Sequence, residues 1–398
     1  MAIVPLYLKI QSDLHLEHEG QVTLLVTVLN LAYILPSYPM GVLADRVSRK
    51  KLLALGLAIN GVGFIALSVS HSYALAILSV AISGFGGSFY HPAATALVAR
   101  LFPKTTGRAL GLVAIGASAG FFISPIYSGW RAASTGNWRI PILEMGIAGL
   151  VVSILFYWLA DEEAATIKSE RRTIPTGGIF PTKILWLYFL LAGFLFSLRD
   201  FAGSGMGTLT SLFLQHARGL DLGSTGTVLS AIFVASAVSN PIFGRLSDTS
   251  RMRWCMLLLM VAMVIVAIFP RVSQGHMFYI LLAYGFFFLA SYPIVEAALM
   301  QAVPDEARGR VFGLFMTMGG LGGSISHWFM GVAVNSLGEG AHSVKSYYPI
   351  YGMLASLICL SLLGLPCLHA IRRREGLDFP SPALPADAPI LPQNVTTE

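Results

Sequence analysis

The amino-acid sequence predicts an all-α membrane protein of two six-helix bundles related by a parallel repeat. Composition, span count and internal repetition carry that expectation. Of 398 residues, 55% are hydrophobic and only 12% charged, whereas soluble domains carry about 25% charged residues. Twelve membrane helices of about 20 residues use roughly 240 residues, which leaves about 160 for loops and tails.

After a short apolar start at residues 1–10, apolar runs lie at about 21–43, 52–70, 73–99, 109–130, 140–160, 183–215, 224–244, 254–270, 276–303, 311–337 and 347–370. That pattern is eleven complete spans and one stub. The longest polar connection, 161–182, falls between the sixth and seventh spans and reads as a linker. The expected domains are therefore 1–160, with a partial first helix, and 183–371, followed by a Pro-rich cytoplasmic tail at 372–398.

Lys and Arg fix the expected orientation. Alternate segments at 44–51, 100–108, 161–183, 245–253, 304–310 and 371–374 hold 19 of the 26 cations, and the opposite connections hold six. The positive-inside rule places the richer side, and the C-terminus, in the cytoplasm of a cell whose inner membrane holds the protein. Cations spread through short loops do not form a nucleic-acid face. Cys255, Cys359 and Cys367 have no metal-ligand or disulfide spacing, so no metal and no cofactor are expected.

The repeat appears in three places. Gly41-x-Leu43-x-Asp45 returns as Gly244-x-Leu246-x-Asp248, Pro92 and Pro103 return as Pro293 and Pro304, and Gly107-Arg108-x-x-Gly111-Leu112 returns as Gly309-Arg310-x-x-Gly313-Leu314. Offsets of 203, 201 and 202 residues separate copies by an even number of spans, which makes the repeat parallel. In the same register Leu6-Tyr7-Leu8 and Gly20 match Leu212-Phe213-Leu214 and Gly226. The first helix is then expected to begin before Met1, since ten residues reach only about 15 Å.

Gly41-Val-Leu-Ala-Asp45-Arg46-Val-Ser-Arg49-Lys50-Lys51 resembles the loop signature of the major facilitator superfamily, with Ser48 in place of the usual second glycine. Gly244-Arg-Leu-Ser-Asp248 is its weaker copy. The resemblance implies the superfamily's transporter fold, and for Gly41, Asp45, Arg46, Arg49, Lys50, Gly244 and Asp248 it implies a gate latch; the lesser alternative is a topology anchor only. The Gly84–Ala94 segment, with Tyr90-His91-Pro92, resembles fosmidomycin-resistance-type exporters, although Ala93 stands where those carry Glu.

Charges at membrane depth cost on the order of 2.5–3.5 kcal/mol each. Arg199 and Asp200 sit mid-span, followed by Gly203, Gly205 and Gly207; the glycines predict a bend or opening there. Neighbouring residues on a helix diverge by about 100°, so the two charges are expected to face different surroundings, either as substrate or proton groups or as an interhelix pair. Glu296 is a candidate proton carrier with Arg199 as partner, or a brace at a helix end. His91 and His327 are weaker candidates, since a lone membrane histidine is more often hydrogen-bonded packing. Glu144 is expected to snorkel or to form a salt bridge.

Gly116-Ala-Ser118-Ala-Gly120 spells a hydrolase elbow, but its mid-helix context points to close helix packing. Gly319-Gly320-Leu-Gly322-Gly323 lacks the Lys-Ser/Thr of a phosphate loop. No enzyme is expected. The functional expectation is a monomeric secondary transporter in the lipid bilayer that moves a small molecule, by proton-coupled efflux first, with metabolite or organic-anion import as the alternative and a non-transporting membrane sensor as the remote one.

Overall fold

The computed structural model describes residues 1–44, 47–90, 93–94, 97–98, 106–160, 180, 182–247, 250–301 and 308–374. Among these residues the chain is helical throughout. A turn at Val4–Leu6 leads into α1 (Tyr7–Asp13), α2 (Glu19–Ile34), α3 (Ser37–Ala44), α4 (Arg49–Ser68), α5 (Tyr73–Gly87), α6 (Thr106–Thr135) and α7 (Arg139–Leu159). The C-terminal helices are α8 (Lys183–His216), α9 (Leu222–Val234), α10 (Ser236–Ser247), α11 (Arg251–Ile268), α12 (Met277–Leu289), α13 (Ser291–Gln301), α14 (Arg308–Asn335), α15 (Tyr348–Ser361) and α16 (Gly364–Arg374).

These helices coincide with the apolar runs, and seven described segments are long and apolar enough to cross a membrane. Several runs are split in two. Pro36 separates α2 from α3, because a proline supplies no N–H to the preceding turn. The break between α12 and α13 at Ala290 precedes Pro293, which sits in the first turn of α13 where an N–H is not needed. α5 ends at Gly87 and α12 at Leu289, so the repeat seen in sequence extends to where helices stop.

Polar side chains start the helices. Ser48, Ser72 and Thr182 each accept a hydrogen bond from the backbone N–H three residues on. Asp221 caps α9, accepting from Gly223 N at 2.8 Å, Ser224 N at 3.0 Å and Ser224 Oγ at 2.6 Å. The Ser224 hydroxyl, with the backbone N–H groups, holds the Asp221 carboxyl below its ordinary value. A depressed carboxylate stabilises the fold above its unfolded value and loses that contribution as pH falls through the folded one. Asp221→Ala is expected to destabilise by about 1 kcal/mol at neutral pH, with the difference from wild type shrinking in acid; thermal melts at several pH values check this.

Two seams join the N-terminal helices to the C-terminal ones: α2 runs along α14, and α6 along α9. α4 packs on α5 and α7, while α8 is enclosed by α14, α15 and α16. At the end carrying residues 217–221 and 336–347, here the far end, the seams are tight. A Cβ on Gly226 would strike the carbonyl of Pro125, one on Gly129 the carbonyl of Leu222, and one on Gly20 would meet Val332 Cγ2 at 2.8 Å. Ser211 Oγ donates to Val4 O at 2.7 Å and Gln215 Nε2 to Pro5 O at 3.2 Å, tying the first turn to α8.

Gly116 and Gly120 depart from expectation, because nothing lies within 4 Å of a Cβ added to either. Close packing of α6 occurs further along, at Gly129, and the GxSxG stretch faces open space. The glycine run of α14 does the opposite. Gly319 receives Asp200, Gly320 receives Ile34, Gly322 lies on the Ser197 backbone and Gly323 on Ser204. Four residues without side chains let α14 lie between α2 and α8.

Candidate functional site

α8 is one unbroken helix of 34 residues, about 51 Å long. The expected opening at its glycines is absent, and the reason is packing. Phe288 fills the position a Gly203 side chain would take, and Met330 and Leu354 crowd Gly205. Tertiary contact therefore outweighs the propensity penalty of about 1 kcal/mol per glycine.

The same helix buries Arg199, only 2% exposed. Its Nε and Nη2 both donate to Asp200 Oδ1, at 3.0 and 2.8 Å. The two charges thus form a pair, contrary to the divergence expected from helix geometry. Three methylenes let the guanidinium turn back along the helix, and Gly319 gives the carboxylate a place to sit. The Tyr292 ring covers the guanidinium, with Cζ 3.9 Å from its centroid, and Phe196 lies 5.4 Å away on the same cation. Among the described residues, no hydrogen-bond partner meets the buried Arg199 Nη1.

Glu296, one turn beyond Tyr292 on α13, interacts electrostatically with both Arg199 and Asp200. The fold thus assembles Arg199, Asp200, Tyr292 and Glu296 from α8 and α13 against α14. One carboxylate pairs with the cation and a second lies within its electrostatic reach, so the cluster carries one net negative charge when both are ionised. A single proton neutralises it, and the cation's free N–H offers a point for an acceptor.

The other candidates lie elsewhere. His327 on α14 is buried, its Nδ1 2.6 Å from Thr208 Oγ1, and Tyr7 OH lies 3.2 Å from the same oxygen. Glu144 is held by Arg131 at 2.7 Å and by the Tyr127 hydroxyl at 2.6 Å, near the surface. Gly41 and Gly244 lie in α3 and α10. Arg49 is buried at the start of α4, and Lys50 Nζ stands 5.4 Å from the Tyr157 ring centroid. His91, Asp45, Arg46 and Asp248 lie outside the described residues.

Tyr292 went unselected in the sequence. Its only signal was position, one turn before a membrane carboxylate, and an aromatic in an apolar span is ordinary core material.

A sequence model of the Major Facilitator Superfamily matches residues 1–327. The chain belongs to the Major Facilitator Superfamily. It is 30% identical over 237 residues to the multi-drug resistance efflux pump PmrA of Streptococcus pneumoniae, covering 56% of this chain and 55% of that protein. It is 27% identical over 216 residues to the quinolone resistance protein NorA of Staphylococcus aureus, covering 54% and 53%. The chain spans about half the length of these curated relatives.

Among solved structures, a bacterial homologue of the human lysosomal transporter Spinster, inward-facing and unoccupied, superposes with a TM-score of 0.77 at 15% identity over 96% of this chain and 95% of that one. The occupied form of the same homologue gives 0.74 at 15% identity over 94% and 92%. This likeness establishes the fold of this superfamily member.

Proposed function

We propose that this superfamily member is a secondary active transporter that exports a small molecule in exchange for protons. Residues 1–160 and 183–371 form two bundles that rock about a central site, 161–182 links them, and the side carrying 371–374 faces the cytoplasm. One observation supports the coupling role most directly: a buried cation held by one carboxylate, with a second in electrostatic reach. A cluster with unequal charge at membrane depth is costly to maintain and responds to one proton. The efflux-pump names of the relatives support the outward direction.

In this scheme Asp200 and Glu296 exchange a proton with the solvent, while Arg199 holds the remaining charge. The bundles part on alternate sides as that charge state changes. The unpartnered Nη1 of Arg199 favours a second reading, in which an organic anion binds the guanidinium and is imported with protons. Flux in energised everted vesicles separates the two. Uptake that collapses with the pH gradient is expected for export; extrusion or no flux overturns it.

A further inference from the structure

Glu19 opens α2 and His216 closes α8, so the two come from opposite sides of the seam at the far end. His216 Nε2 lies 3.4 Å from Glu19 Oε1, and the two side chains are 16% and 14% exposed. Among the described residues that ring nitrogen has no partner besides the facing carboxylate. The joint around the pair is tight: a Cβ on Gly331 of α14 would meet the Glu19 carbonyl at 2.7 Å and also strike Thr23 Oγ1.

The neighbouring groups come from every adjoining element. His342, in the turn Gly338–His342, places Nδ1 3.3 Å from the His216 carbonyl, with the two rings 5.6 Å apart. Tyr347 is buried with its hydroxyl unpartnered and interacts electrostatically with Glu19. His18 adjoins Glu19 on the solvent side and lies 3.9 Å from Glu17. Arg218 turns away and donates to Pro270 O and Val272 O at 3.0 and 2.7 Å. Among these groups His216 is the one whose change of charge pairs with the carboxylate across the seam; Tyr347 reaches it only as a neutral phenol.

We propose that Glu19 and His216 form a proton-binding site that latches the far end of the molecule. The proposal rests on alternating access, in which this seam must open once per cycle, and on the orientation that makes the far end the outer one. A neutral imidazole offers the carboxylate one N–H at most; an imidazolium adds an ion pair across the joint. Acid, by charging the imidazole, thus favours the closed seam. Acid outside a cell would thus hold the outer seam shut independently of the central cluster.

The test measures the seam directly. Nitroxide labels at Ser134→Cys and Ser336→Cys, at the far ends of α6 and α14, are placed in a protein with Cys255, Cys359 and Cys367 changed to Ser. Distance distributions in liposomes are recorded between about pH 5.5 and 8.5. The closed-to-open ratio is expected to fall about fivefold across that range. Glu19→Gln, His216→Gln and their double variant should each flatten the response equally, whereas His342→Gln should keep it.

A response that persists in both single variants, or a wild-type distribution that does not change with pH, overturns the latch. Asp200→Asn separates the two proposals. If it flattens the response while Glu19→Gln does not, the titrating site is the central cluster and the latch fails while the transport reading stands. A retained response in a protein without flux leaves the latch standing and removes the transport reading.

Discussion

Asp200→Asn is expected to reduce gradient-driven flux to background while the protein still inserts into the membrane. The substitution keeps the shape and one acceptor oxygen but removes the charge that offsets Arg199, which is 2% exposed. Breaking a buried pair from one side costs about 3–5 kcal/mol, because the remaining ion is left uncompensated. A drop in melting temperature should therefore accompany the loss of flux. The second variant needed is Arg199→Met with Asp200→Asn, which removes both charges and keeps the volume. Its thermal stability should recover toward wild type while flux stays absent. Recovery of flux in the double variant, or normal flux in Asp200→Asn alone, would remove the pair from the mechanism.

Gly226→Val is expected to have a comparably large effect by a different route. The added Cβ would overlap the Pro125 carbonyl, and Ile126 Cα stands 3.5 Å away on the same side. Both obstacles are backbone, so no rotamer change relieves the clash. Overpacking of this kind costs typically about 1–3 kcal/mol, and it falls on the seam between α6 and α9. The expected results are a lowered melting temperature, a longer Ser134–Ser336 distance and sharply reduced flux. Gly313→Ala is the control. Among the described residues nothing lies within 4 Å of that Cβ, and alanine is the better helix former by about 1 kcal/mol, so stability should hold or rise. Wild-type seam distance and flux in Gly226→Val would show that the seam does not require close approach there.

The glycines illustrate which features were legible in the chain alone. Gly203, Gly205 and Gly207 suggested a broken helix, and Gly116 with Gly120 suggested close packing. The structure has α8 continuous and leaves Gly116 and Gly120 facing open space. A glycine carries no side chain to mark what lies against it, so its sequence position cannot distinguish a hinge from a contact. Only the neighbouring helices, Phe288 at Gly203 and the Pro125 carbonyl at Gly226, make that distinction.

Charges behaved differently. Arg199, Asp200 and Glu296 stand out in the sequence because each is costly in an apolar span. Their mutual arrangement did not, since helix geometry alone separates adjacent side chains, and the pair forms because a long arginine folds back beside a glycine of another helix. Glu19 and His216 gave no sequence signal at all. Each lies at a span end among ordinary loop residues, and 197 positions separate them.

The sequence by itself determined the membrane class, the span positions, the parallel repeat and the superfamily, because each is written in local composition or at a constant offset. Only the tertiary structure decided which charges meet, what the glycines pack against and which termini close the far end. Those depend on helices distant along the chain coming within a few ångströms, and pairwise proximity of that kind leaves no periodic trace in the sequence.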